Sequence, residues 1–210
     1  MDQFLSDASR IAAIDTETAS ALQRVARTTV PVLADFCLVY LLQGDSLRCV
    51  AFAHRSRAGH RLLQALVRVY RITRDDPDST VAQVVRTRRP SLRASIAPEN
   101  GLDAIGGSSP RVAALHRQLG ARSALVVPLE GPAGVIGALA LSYAESGRRY
   151  TTASIVRARK IAGHLALLVQ HAPLLTMVAR QERMLSRMLD PRHGPSTAPL
   201  LRTGRLRARS

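Results

Sequence analysis

Apolar residues recur at helical spacing near both ends of the chain and form short continuous runs between them. Residues Ala13–Ala34 carry apolar positions three and four apart, which predicts a helix. Pro31 is expected to bend or end this helix, because proline lacks the amide proton that a helix interior uses. A long last helix is predicted from Thr152 onward, and Pro173 is expected to kink it or divide it in two.

The apolar runs between the helices have the length and residue types of β-strands. Asp35–Leu42 and Leu47–His54 flank a Gly-Asp turn and predict a first hairpin, and Ser91–Arg93 is a brief third strand. Gly120–Leu129 and Gly134–Leu141 flank a Gly-Pro-Ala-Gly connection and predict a second, buried hairpin. An antiparallel sheet at the centre of the domain follows from the two hairpins.

Three short helices are predicted between the strands. Their ranges are Arg61–Tyr70, Ser79–Arg86 and Arg111–Leu119, the last of which ends at Gly120 as a C-terminal cap. Residues Ala97–Pro110 are rich in Gly, Ser and Pro and are expected to form an exposed loop. The fold class is therefore α+β.

Composition places the chain among globular proteins with a real core. The 210 residues are 46% hydrophobic and 21% charged, and no apolar run approaches the roughly 20 residues that span a bilayer. The N-terminus lacks the basic start and apolar centre of a signal peptide, so we expect a cytoplasmic protein without a membrane partner. Cys37 and Cys49 lie in predicted strands, where they are expected to be small core residues rather than a disulfide.

The net charge of +15 raises the question of nucleic-acid binding. Residues 176–210 contribute eight arginines against Glu182 and Asp190, and the remaining charge is scattered along the chain. Aromatic residues make up only 3%, so the stacking platforms of single-strand binders are mostly missing. Nucleic acid is therefore not the expected partner, but a regulator that grips phosphates through its Arg-rich C-terminal tail stays open as an alternative.

Several segments, in order, resemble one family. The residue pattern of the hairpin Gly120–Leu141 resembles that of GAF domains. Three more segments are similar to the same family: Leu33–Cys37, Val50–His54 and Val84–Pro90. Gly147–Thr151 also resembles the start of the last helix in this family. The likeness is greatest to actinobacterial GAF sensor domains found with PAS domains, histidine kinases and PP2C-type phosphatases.

The resemblance implies a GAF/PAS-like central antiparallel sheet, with a helical bundle on one face and pocket-forming loops and short helices on the other. It implies a non-catalytic sensory or regulatory domain that binds a small ligand or relays a signal through dimeric terminal helices. A kinase, a phosphatase or a transcriptional protein is the expected partner, and a remnant of a GAF-containing kinase or phosphatase is a further alternative. The expected organisation is an extension over 1–13, the sensor domain over 14–175, a signalling or partner helix over 176–190 and a disordered tail over 191–210.

The candidate ligand-binding residues are chosen by their positions on the predicted strands and short helices. They are Phe36, Val39, Phe52, His54, Tyr70, His116 and Leu125. The sequence does not identify a cofactor. Haem stays open, because a neutral imidazole from His54, His60 or His116 can supply an axial bond.

Motifs for catalysis and for metal binding are not found in the sequence. Ser123 lacks the Gly-x-Ser-x-Gly elbow, and the glycines of 101–109 lack the lysine and the spacing of a phosphate loop. The Asn-Lys-Phe-Asp-Glu type motif of cyclic-nucleotide-binding relatives is also missing. His164 and His171 lie two turns apart on the last helix, too far for one ion. We therefore predict no catalytic residues, no metal site and no enzyme activity.

Overall fold

One six-stranded antiparallel sheet organises the part of the chain that the computed structural model describes, residues 16–97 and 109–189, with side chains to residue 172. Its strands are β1 (Phe36–Gln43), β2 (Ser46–His54), β3 (Ile72–Thr73), β4 (Ser91–Arg93), β5 (Ser123–Gly131) and β6 (Gly134–Tyr143). They lie in the order β3-β2-β1-β6-β5-β4. The pairing of β1 with β6 joins the two predicted hairpins into one sheet and confirms the expected α+β class.

Five helices accompany this sheet within the same described ranges. They are α1 (Thr16–Thr29), α2 (Arg57–Val69), α3 (Thr80–Thr87), α4 (Pro110–Leu119) and α5 (Thr152–Leu189). Helix α1 ends before Pro31, as expected from the missing amide proton. Helix α5 continues through Pro173, so division into two helices, one of the two outcomes expected there, is wrong, and a kink stays a prediction.

Two elements differ from the sequence prediction. Helix α2 begins four residues earlier than the apolar pattern indicated, because the Ser56 hydroxyl accepts a hydrogen bond from the Gly59 amide at 3.1 Å and caps the helix. The short strand β3 was not predicted, and it pairs with only two residues of β2, Ser46 and Leu47.

The sheet is buried on both faces. On the first, here called the terminal-helix face, α1 and residues 152–172 of α5 cover Cys37, Val39 and Leu41 of β1 together with the matching side chains of β5 and β6. On the second, here called the short-helix face, α2, α3 and α4 cover Phe36, Leu38 and Tyr40. Because side chains alternate along a strand, burial on both faces explains why β1 reads as an uninterrupted apolar run.

The chain divides into two compact units after Pro173, and the sheet belongs to the first of them. The predicted extension over 1–13 and tail over 191–210 lie outside the described residues, as does most of the predicted loop over 97–110. The nucleic-acid alternative that rests on this tail stays a prediction. No helix in the described part is long and apolar enough to cross a membrane.

Candidate functional site

His116 is the most unusual polar residue of the short-helix face. Helix α4 turns Val112, Ala113, His116 and Leu119 toward the core, and His116 is only 2% exposed. Within the described residues, neither Nδ1 nor Nε2 of its ring has a hydrogen-bond partner. A buried polar group normally has one, so this imidazole has unused binding capacity.

Burial also fixes the protonation state of His116. It lowers the pKa of the ring to about 4, since a buried imidazolium would lose its hydration. At neutral pH the ring is therefore uncharged and carries one N–H donor and one lone-pair acceptor. Both can serve a bound molecule that offers one acceptor and one donor.

Tyr70 stands next to His116. The two rings meet edge to face, with centroids 5.5 Å apart and planes at 89°. Tyr70 follows the last turn of α2 and shares a side-chain hydrogen bond with Ser79, the cap of α3. Burial raises the pKa of Tyr70 to about 12, so its hydroxyl stays protonated. The pair thus connects the three short helices at one point of the core.

A second aromatic group lies at the end of β2 and the start of α2. His54 stacks on Phe36 with ring centroids 5.5 Å apart, and His60 stacks on Phe52 at 5.0 Å. Gly59 makes this possible, because a Cβ at that position would overlap the His54 ring. The His54 Nδ1 accepts a hydrogen bond from the Ser56 amide at 3.0 Å, which leaves the proton of the neutral ring on Nε2.

Five of the seven predicted ligand-binding residues therefore lie on the short-helix face. They form two groups, Tyr70 with His116, and Phe36 with His54 and Phe52. Val39 and Leu125 do not join them, because both point to the terminal-helix face and pack in its core. The expectation that all seven line one pocket is wrong for these two residues, and the reason is strand alternation.

Sequence reasoning missed a basic cleft beside the second group. It is about 910 Å³ in volume and is lined by Arg27, Arg55, Arg57 and Arg61 with His54 and His60. Five of these six side chains come from the run His54–Arg61, in which basic residues and histidines alternate with small residues. This local cluster of basic residues was the signal that could have indicated the cleft. It did not stand out, because arginines are frequent along the whole chain.

Ser123 has a structural role. Its hydroxyl donates to the Arg93 carbonyl at 3.1 Å and accepts from the Tyr150 amide at 3.0 Å, so it joins β4, β5 and the segment before α5. Burial raises the pKa of each cysteine thiol to about 12, which is far from the reactive thiolate range. Among the described residues, no group of three or more His, Cys, Asp or Glu could hold a metal ion.

Comparison with known proteins agrees with this architecture. The family model described as GAF domain matches residues 15–170. The chain belongs to the GAF domain family. GAF domains are mostly sensory or regulatory domains that bind small ligands, and the narrower resemblance to actinobacterial sensors stays a prediction. No functionally curated protein matches this GAF chain.

Solved GAF structures share the fold at low sequence identity. The GAF domain/HD domain protein from Geobacter sulfurreducens is 20% identical with a TM-score of 0.53, over 80% of this chain and 98% of that one. The GAF domain of a phosphoenolpyruvate-protein phosphotransferase from Coxiella burnetii is 17% identical with a TM-score of 0.57, over 83% and 95%. A type II free methionine-R-sulfoxide reductase from Thermoplasma acidophilum is 15% identical with a TM-score of 0.52, over 76% and 96%. These similarities establish the fold of the GAF domain and leave its ligand open.

Proposed function

We propose that this GAF domain is a non-catalytic sensor that binds a small, uncharged polar ligand at His116. The bound state is passed to α1 and α5, which pair with those of a second copy. A kinase, a phosphatase or a transcriptional protein receives the signal.

The unpartnered ring of His116 carries this proposal. Leaving a buried polar group without a hydrogen bond costs on the order of 1–3 kcal/mol. A ligand that supplies the missing partners removes this cost only in the bound state, which favours binding. Because the ring is neutral near pH 7, an uncharged ligand matches it better than an ion.

The two-sided burial of the sheet supports the relay. His116 packs on the short-helix face, whereas α1 and α5 pack on the opposite face of the same strands. Protein cores are close-packed. A ligand that displaces side chains on one face of the sheet therefore also shifts the packing on the other face, through β1, β5 and β6. The ligand shifts the terminal helices only to the extent that it binds one arrangement better than another.

Native mass spectrometry of freshly purified full-length protein tests ligand binding. We expect a mass above that of the chain, which denaturation releases. His116→Phe should lose this extra mass, because phenylalanine keeps the packing but offers no donor or acceptor. His171→Phe is the matched control, since His171 is exposed on α5, and it should retain the ligand.

A second measurement covers a ligand lost on purification. The small-molecule fraction of a cell extract is added to protein labelled with ¹⁵N at histidine, and the ring nitrogens of His116 are followed by NMR. We expect their shifts to change. The proposal would be contradicted if the native mass equalled that of the chain alone and the extract left the ring-nitrogen chemical shifts of His116 unchanged.

A further inference from the structure

The basic cleft lies apart from His116, at the edge of the domain where α1 ends, β2 ends and α2 begins. We call it the arginine cleft and define it by Arg27, Arg55, Arg57, Arg61, His54 and His60. Its volume of about 910 Å³ falls in the range of sites that hold small organic ligands. None of the described residues that line it is Asp or Glu, but Asp35 is paired with Arg55, and the charges of Glu145 and Asp35 act on His54.

Three of its four arginines form no salt bridge with any described residue. Within the described residues, the guanidinium groups of Arg27, Arg57 and Arg61 take part in no hydrogen bond or salt bridge, and all three side chains are exposed. Arg55 differs, because its Nη1 donates to Asp35 Oδ1 at 2.9 Å. The other oxygen of that carboxylate also has partners, since Asp35 Oδ2 accepts hydrogen bonds from the amides of Ala144 and Ser146, each at 2.8 Å.

Unpaired guanidinium groups are common among the described arginines, so the cleft is set apart by the four arginines that line one volume together with two histidines. The few arginines that have internal partners serve the structure. Arg86 donates to the carbonyls of Arg74 and Asp76, at 2.8 and 3.1 Å. Arg149 binds the carbonyls of Ala94 and Arg122, at 3.2 and 3.1 Å. These two arginines hold loops in place, whereas Arg27, Arg57 and Arg61 line an open volume and have no hydrogen-bond partner among the described residues.

His54 adds a fixed donor to this wall. Its ring is held by the Phe36 stack, by the Ser56 amide at Nδ1 and by the space that Gly59 leaves. The Nε2–H of the neutral ring has no partner among the described residues and is left to donate. An adjoining cleft of about 270 Å³ shares Arg27 and His54 and adds Val30 and Pro31, which extend the site with an apolar surface.

We propose that the arginine cleft binds an organic phosphate, with the phosphate on the arginines and the uncharged part of the molecule against Val30 and Pro31. Guanidinium groups bind phosphate oxygens in bidentate fashion, and three unpaired ones favour a group with two or more negative charges. This site is independent of the ligand proposed at His116, because it lies outside the core and requires a charged molecule.

Titration calorimetry with pyrophosphate, on the full-length protein at about 50 mM salt, tests the phosphate part of the site. We expect measurable binding that weakens at least about tenfold in Arg57→Gln/Arg61→Gln, because charge-assisted hydrogen bonds are lost. The matched control is Arg68→Gln/Arg71→Gln, which removes the same charge from exposed positions outside the cleft. It should weaken binding less than about twofold, in keeping with screened long-range attraction.

Further variants and ligands test whether the cleft itself is the binding site. Arg27→Gln, on a different element, should also weaken binding if the cleft rather than α2 alone is the site, and it replaces the double variant if circular dichroism finds that variant unfolded. Equal losses in the cleft and control variants, or no binding by the wild type at millimolar pyrophosphate, would overturn the proposal. Tighter binding of a single-stranded oligonucleotide that needs the same arginines would overturn it in favour of nucleic acid.

Discussion

At the scale of single residues, His116 is the one described residue with buried side-chain polar atoms that have no hydrogen-bond partner. Asp35 is 1% exposed, yet its carboxylate accepts from Arg55 and from two backbone amides. Burial alone would raise its pKa, but the hydrogen bonds from Ser146 and Ala144 outweigh it and lower the pKa. Asp35 and Ser123 are therefore structural, and the unpartnered His116 is the residue on which the proposed ligand site rests.

The low pKa of His116 predicts a specific acid sensitivity. Between about pH 6.5 and the folded pKa of about 4, the unfolded chain binds the proton and the folded chain does not, so stability falls as the pH falls through this range. Acidification from about pH 7 to about pH 5 should remove about 2 kcal/mol through this residue, from its pKa shift. His116→Phe should lose this component of the pH dependence.

Urea unfolding of both proteins at the two pH values measures the difference. His54, whose pKa is also lowered by burial, and Asp35 are present in both proteins, so their effects cancel in the comparison. Equal pH dependence of the wild type and His116→Phe would show that His116 is not buried as a neutral ring.

At the scale of secondary structure, the strands were well predicted because their apolar runs are set by local sequence. The prediction Ser91–Arg93 matches β4 in full, and Leu47–His54 differs from β2 by one residue. The elements that were missed depend on other contacts. The first turn of α2 has no apolar stripe and forms from the Ser56 cap, and β3 exists only through its pairing with β2.

Two glycines provide a test of packing at this scale. A Cβ at Gly137 of β6 would overlap the Tyr40 carbonyl of β1, so Gly137→Ala must separate the two central strands. We expect it to destabilise the domain by about 1–3 kcal/mol, the usual range for overpacking. Gly163 of α5 is exposed with open space around it, and Gly163→Ala should stabilise the helix by about 0.5–1 kcal/mol.

Thermal and urea denaturation of the two variants gives the sign of each effect. Gly163→Ala serves as the control, because it makes the same chemical change where no neighbour is crowded. If Gly137→Ala were as stable as the wild type, the close approach of β1 and β6 would be incorrect.

At the scale of the whole domain, the fold was more predictable than the candidate site. The sheet could be predicted because each hairpin is formed by residues that are adjacent in the sequence. A site depends in addition on which face of the sheet each strand residue occupies. Strand alternation alone could have separated Val39 from Phe36, since the two are three residues apart. In β2 alternation is not sufficient, because a bulge between the pairs Val39–Ala51 and Tyr40–Cys49 shifts the register at Val50.

The proposed relay requires a surface for a second copy, and we propose that exposed apolar side chains on α5 and just after α1 form it. The three exposed large hydrophobic side chains of the described residues are Val32, Val156 and Leu167, with 65%, 60% and 52% of their surface exposed. Val32 lies just after α1, and the other two lie on α5. A cleft of about 290 Å³ between these helices is lined by apolar side chains, among them Val25 and Ile161, and by polar ones that include Lys160 and His164. Such a concentration on one side of a domain is typical of an interaction surface.

Light scattering on the full-length chain at micromolar concentration tests this dimer. The wild type should have twice the 22.7 kDa mass of the chain, and Val156→Glu/Leu167→Glu should be monomeric, since burying two carboxylates without partners is strongly unfavourable. Gln64→Glu/Gln83→Glu adds the same charge at exposed positions of α2 and α3 and should stay dimeric. A monomeric wild type would rule out signalling through paired terminal helices and leave the ligand site of His116 to be judged on its own.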